Sequence, residues 1–244
     1  MAGQGDQDAA ISEFREALRL DPKNELADFN LGEALKHKGD LDGAMAAYRQ
    51  ALLLNPKDEL AHYSLGAALG QKGDWDGDAA EMREVLQLNP QNSDAHRILG
   101  LALARKGDSA AASEEYRAAI RLNPNDEVAH LDLGLALANQ GDWDGAITEE
   151  RTALHLDPKN DTAHVYLGTM LGQKGDQQDA LTEYRDALRL NPGNHLAHYN
   201  LGVVLEKSGD RQGALQEYHA AYQLNPNATP YRQAYERLSQ PSTP

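Results

Sequence analysis

Five histidines, His62, His96, His130, His164 and His198, recur 34 residues apart, each three residues before a Leu-Gly pair. Histidine ligates metals and titrates near neutral pH, so a regular ladder of imidazoles could hold ions or move protons. Spacing argues against a shared ion. If each ring belongs to one packed helical unit, its neighbours stand roughly 8–10 Å away, too far for two of them to reach one metal. In the first unit Asp28 takes the histidine's place. His195 and His198, three apart, offer half of a site, but the chain has no cysteine and no nearby motif completes it. The ladder is therefore expected to be structural, with no metal and no cofactor.

Other constellations fail similarly. Asp74, Asp76 and Asp78 imitate the start of a calcium loop, but no glycine follows Asp78 and Val85 stands where the bidentate glutamate is needed. Glu114/Glu115 and Glu149/Glu150 are adjacent carboxylates; on a helix they point about 100° apart and cannot flank one substrate as acid and base. They are expected on a solvated face. Trp75 and Trp143 follow Gly-Asp turns and are expected to cover helix junctions. Nothing resembles a nucleophile with its base or a phosphate loop. The chain is expected not to be an enzyme.

The elements that must carry these residues follow from the period itself. Prolines fall at Pro22, Pro56, Pro90, Pro124, Pro158, Pro192 and Pro226, and the glycine of Gly-Asp at Gly5, Gly39, Gly73, Gly107, Gly141, Gly175 and Gly209. Both series step by 34 without insertion, leaving no long loop to host an active site. The formal net charge of −15 argues against a nucleic-acid backbone as partner. No apolar run approaches the ~18 residues of a membrane span, and the start MAGQGDQD lacks the features of a secretory signal. The compartment is left open by the sequence, which leans to the cytoplasm, and no membrane contact is expected.

Within one period, Leu31, Gly32 and Leu35 share one helical side, and Ala44, Tyr48, Ala51 and Leu52 form a second stripe. Gly39 can take the left-handed conformation that ends the first helix, and Asp40 can cap the second. Pro56 stops that helix, and Asp58 caps the next; Asn24, Asn92, Asp126, Asn160 and Asn194 recur at the capping place. The unit is helix, tight turn, helix, tight turn. Residues 1–23 supply a lone second helix, from Asp6 to Leu20. Residues 24–228 hold six units, at about 25–58, 59–92, 93–126, 127–160, 161–194 and 195–228. A closing helix over 229–239 has Thr229 as cap and Pro230 in its first turn, and residues 240–244 form a disordered tail. The total is fourteen helices.

The 34-residue hairpin with Leu31, Gly32, Ala44, Tyr48, Ala51 and Pro56 resembles the tetratricopeptide repeat family. The resemblance implies an all-α fold, a right-handed superhelical solenoid whose first helices line an inner groove. It also implies a non-catalytic scaffold that holds peptides or partner proteins there. The histidines stand where the family usually has Trp. The groove positions are the residues two before each Leu-Gly pair, Phe29, Tyr63, Arg97, Leu131, Val165 and Tyr199, and those just after the glycine, Glu33, Ala67, Leu101, Leu135, Thr169 and Val203. So many apolar and aromatic residues predict a strip able to hold an extended peptide or a helix. Family members that clamp a chaperone's acidic tail carry Lys and Asn there. Phe29 with Glu33 and Tyr63 with Ala67 argue against that ligand.

The alternatives are a self-associating solenoid stacked end to end, or the adaptor region of a larger protein. The chain begins in mid-repeat, as an excised fragment would. The apolar stripe Ala10, Phe14, Ala17 and Leu18 then lacks its covering helix, which predicts weak homo-association. Two polar intrusions predict local weakness: Asp78 where other units place Ala, and Glu150 where they place Tyr.

Overall fold

The computed structural model describes residues 2–240, and the side chains of residues 7–240. The expected tail therefore lies outside the described residues apart from Gln240. Fourteen α-helices, and no strand, are present among the described residues. By its internal contacts the chain divides into two compact units, residues 1–124 and 125–244.

The first unit holds α1 (Ala2–Leu20) and three hairpins: α2 (Glu25–Lys38) with α3 (Leu41–Leu54), α4 (Glu59–Gln71) with α5 (Trp75–Leu88), and α6 (Ser93–Arg105) with α7 (Ser109–Leu122). The second holds α8 (Glu127–Asn139) with α9 (Trp143–Leu156), α10 (Asp161–Lys174) with α11 (Gln177–Leu190), α12 (His195–Lys207) with α13 (Arg211–Leu224), and the closing α14 (Thr229–Ser239). The first helix extends N-terminally of the expected Asp6 start.

Each turn is made by the residues that the period predicts. Gly39 has φ +88°, a conformation costly for any residue with a Cβ, and the Asp40 carboxylate accepts from the Gly43 amide at 2.9 Å. At the other turn Asp58 accepts from the amides of Leu60 and Ala61, capping α4. One expected cap is absent. Ala228 occupies the N-cap of α14 and Thr229 lies inside the helix, with Pro230 in its first turn. The proline's preset φ suits a first turn, and its missing amide leaves less there for a side chain to cap.

Close approach within hairpins rests on glycine facing an aromatic ring. A Cβ on Gly32 would lie 2.4 Å from the Tyr48 ring, and one on Gly100 would lie 2.7 Å from Tyr116. Ala44, Ala112, Ala146, Ala180 and Ala214 are fully buried at the neighbouring contact. In the first unit Ile11, Leu35, Tyr48, Leu65 and Leu69 form one cluster, with Phe14 packed against it. In the second unit Ala214, Tyr218, Ala234 and Leu238 form the closing cluster.

Successive repeats are also tied by charge. Lys38 reaches Asp8 at 2.6 Å, Lys174 reaches Asp144 at 2.6 Å, and Lys72 with Asp42 and Lys106 with Asp76 make the same pair. The calcium-like run thus dissolves into three separate roles. Asp74 caps α5, Asp76 pairs with Lys106, and Asp78 is buried. Trp75 packs near Gly70, with the Arg105 guanidinium 5.7 Å above its ring. No helix among the described residues is long and apolar enough to cross a membrane.

Candidate functional site

In the first unit the proposed strip positions Phe29, Glu33, Tyr63, Ala67, Arg97 and Leu101 are all half-buried. Glu33 is already committed. Its carboxylate accepts from Tyr48 Oη at 2.6 Å, Ser64 Oγ at 3.0 Å and Lys36 Nζ at 2.9 Å. Burial alone would push this carboxyl up, but those hydrogen bonds hold it below the usual range. Phe29 stacks toward the same tyrosine, with ring centroids 5.9 Å apart.

In the second unit Leu131, Leu135, Thr169, Tyr199 and Val203 are half-buried, whereas Val165 is 3% exposed and offers no surface to a partner. Four of these positions line a run of concavities. One, of about 210 Å³, is formed by Leu135, Trp143, Tyr166, Thr169, Met170 and Gln173. The next, about 110 Å³, shares Thr169 and Gln173 and adds Gln177, Asn200, Val203 and Lys207. The third, about 590 Å³, shares Val203 and Lys207 and is completed by Tyr199, Tyr218, Pro230 and Gln233. Trp143, expected only to cover a helix junction, is part of this wall. Thr169 is fixed in place: its Oγ1 donates to the Val165 carbonyl and accepts from Tyr184 and Asn200. Tyr199 sits against Tyr231 and Tyr218, with centroids 4.8 and 5.6 Å away.

The histidine ladder has a partner ladder that the periodicity of the histidines alone did not reveal. Nδ1 of His62, His96, His130, His164 and His198 lies 2.6–2.7 Å from Glu81, Glu115, Glu149, Glu183 and Glu217, each on the second helix of the same hairpin. For His62, His96 and His198 the other ring nitrogen faces the carbonyl of Pro56, Pro90 or Pro192. The ring thus ties the two helices of its hairpin together and to the preceding turn. For His198 the Glu217 hydrogen bond raises the imidazole's pKa against the opposing effect of burial. His195 does not join it; its Nδ1 meets Tyr231 Oη at 3.0 Å. The signal was available: the glutamate follows its histidine by 19 residues every time, and where Asp28 replaces the histidine, Ala47 replaces the glutamate.

The carboxylates expected on a solvated face divide. Glu114 is surface-exposed beside Arg117, Glu115 and Glu149 hold histidines, and Glu150 is fully buried at 0% exposure. Both Glu150 oxygens and Asp78 Oδ1 are buried without a hydrogen-bond partner. Desolvation pushes the Glu150 carboxyl up to about 8, with Asp132 and Glu127 adding to it, and Asp78, 2% exposed, up to about 7. Both therefore fold essentially as neutral acids below those values. His164, Glu183 and Asp186 bring three potential ligand atoms within 4.8 Å of one another. The His164–Glu183 contact is the one that four other repeats make without a third carboxylate, and Asp186 is paired with Arg189 at 3.1 Å. That grouping is accounted for by packing.

Helix hairpins repeated in tandem, with their polar ladders spent within and between neighbouring repeats, define a repeat scaffold. Residues 63–127 and 97–161 match a family profile described as tetratricopeptide repeat, residues 195–228 match another so described, and residues 3–39, 34–73 and 168–209 match one described as TPR repeat. The chain belongs to the tetratricopeptide repeat (TPR) family, and as such is a protein-interaction scaffold. No curated protein sequence matches it. Among solved structures it is similar to YrrB, described as a TPR protein with an unusual peptide-binding site, at 25% identity and TM-score 0.67, over 75% of this chain and 95% of that one. It is similar to MamA at 26% identity and TM-score 0.65, over 66% and 95% of the two chains. The C-terminal part of a TPR repeat-containing protein from Cytophaga hutchinsonii superposes over 95% of both chains, with TM-score 0.76 at 15% identity, a likeness of fold alone.

Proposed function

We propose that this chain is a non-catalytic scaffold that holds a peptide or protein segment along its first helices. The observation carrying this reading is the run of concavities in the second unit, where Leu135, Thr169, Tyr199 and Val203 form adjoining walls. An extended chain needs such a strip, with side-chain pockets at intervals and fixed polar groups between them. A peptide-binding site in a similar protein, YrrB, supports the same reading. Random dodecamers displayed on phage and selected on the purified protein should yield binding peptides. In fluorescence anisotropy Leu135→Glu and Val203→Glu should each weaken a selected peptide at least tenfold. Arg189→Ala, an exposed change outside these walls, should leave binding unchanged. If no peptide is enriched, or the two groove changes have no effect, the reading fails.

A further inference from the structure

The walls of the three concavities carry an electrostatic asymmetry. The protein as a whole is strongly acidic, at a formal −15, but no unpaired carboxylate lines this strip. Its one acid, Glu206, accepts from Arg237 Nη2 at 2.7 Å and from Tyr218 Oη at 2.8 Å, and is spent on them. Lys207 differs. It lines both the middle and the last concavity, and among the described residues it makes no ion pair or side-chain hydrogen bond. Beside it, Gln177 donates to the Gly172 carbonyl at 3.0 Å, while its Oε1 is buried and accepts nothing. An unpaired cation thus stands at the smallest, central part of the strip, where no carboxylate faces it. Aromatic and apolar walls continue on either side, Leu135 and Met170 toward α8, and Tyr199 and Val203 toward α14.

We infer that the strip in the second unit selects an extended segment with an internal acidic side chain. That carboxylate pairs with Lys207, and an apolar or aromatic residue fills the concavity beside Tyr199. This rests on the groove reading above. The acid is internal because the strip continues past Lys207 to Pro230 and Gln233, leaving room for chain on both sides. A terminal carboxylate at Lys207 would leave the concavity on one side of it empty, whichever way the segment runs.

The phage selection tests this when run in parallel on the wild type and on Lys207→Glu. Peptides from the wild type should share an Asp or Glu at a fixed distance from an aromatic or leucine residue. Changing that acid to its amide should weaken binding about three- to fivefold, the size expected of a partly exposed ion pair. Peptides from Lys207→Glu should carry Lys or Arg at the same place. Binding should be the same for amidated and free-acid forms of one peptide; dependence on a free C-terminus overturns the internal assignment. Selected peptides without an acid, or binding indifferent to Lys207→Glu while Val203→Glu abolishes it, would overturn the inference and leave the groove intact. Absence of any binding peptide, or binding indifferent to Val203→Glu, would sink both.

Discussion

At the scale of single residues, each hairpin asks one question of position 16 after its Leu-Gly glycine: what fills the space that the glycine opens. Tyrosine answers it at Tyr48, Tyr116, Tyr184 and Tyr218, with its ring against the glycine. Glu150 stands there against Gly134, and its carboxyl meets neither water nor a donor. Asp78 occupies an alanine place, beside Gly70. Above their raised pKa values, ionised groups so placed each weaken the fold by roughly 2–4 kcal/mol, and neutral ones still leave polar atoms unpaired. Glu150→Tyr and Asp78→Ala should therefore each raise the urea midpoint, by roughly 1–3 kcal/mol of stability at pH 8. Chemical denaturation followed by circular dichroism measures it; a lowered midpoint in both would mean that these acids are compensated by something else. The reverse change, Gly100→Ala, forces a methyl group into the Tyr116 ring and should cost about 1–3 kcal/mol.

At the scale of elements, hairpins and turns were legible because their rules are local. Left-handed glycine, capping Asp or Asn and stopping Pro act within a few residues, so Gly39, Asp40 and Pro56 could be placed from sequence alone. Pairing between helices was not legible in the same way. The His–Glu contact joins residues 19 apart, and Lys72 reaches Asp42 across a repeat boundary, so neither follows from the periodicity of one helix. Val165 shows the same limit: a register position marks a side of the helix, but neighbouring helices decide how much of that side remains open. The last helix is where such packing is most exposed to test. α14 covers Tyr218 and Ala214 with Ala234 and Leu238. Arg211 Nη2 donates to the carbonyls of Leu238 and Gln240 at 2.7 and 2.8 Å, and Arg237 grips Glu206. Deleting residues 229–244 should cost the second unit several kcal/mol and reduce solubility, since each uncovered large side chain contributes roughly 1.5–3 kcal/mol. Arg211→Ala should cost about 1 kcal/mol by leaving the helix end unfastened. Thermal unfolding unchanged by the deletion would show that α14 is not a cap.

At the scale of the whole molecule, titration sets a direction for stability, because both units carry buried acids: Asp28 and Asp78 in the first, Glu150 in the second, all raised chiefly by desolvation. A carboxyl that holds its proton more tightly in the folded chain stabilises the fold below its unfolded pKa and loses that contribution as pH rises through its folded pKa. Asp78 moves from an ordinary 3.8 to about 7 and Glu150 from 4.5 to about 8, both through desolvation, so their loss accumulates between about pH 4 and pH 8. His198, raised by its hydrogen bond to Glu217, acts in the same direction, since its charged form is the favoured partner. Carboxyls held low act oppositely. Glu206, lowered chiefly by Arg237, and Glu33, lowered by its three donors against burial, lose their contribution only as pH falls through the acid range below 4.5. Stability should therefore peak in mildly acid solution rather than at neutrality. The thermal midpoint is expected to be higher at pH 5.5 than at pH 8.5, and growing negative charge on an already acidic chain adds to the decline. In the double variant Asp78→Ala/Glu150→Tyr most of that decline should vanish, while the fall below pH 4.5 remains. Differential scanning calorimetry from pH 4 to 9 separates the cases: a wild-type midpoint that is flat or rising toward pH 8.5 would show that both carboxyls find solvent or a donor in the folded protein.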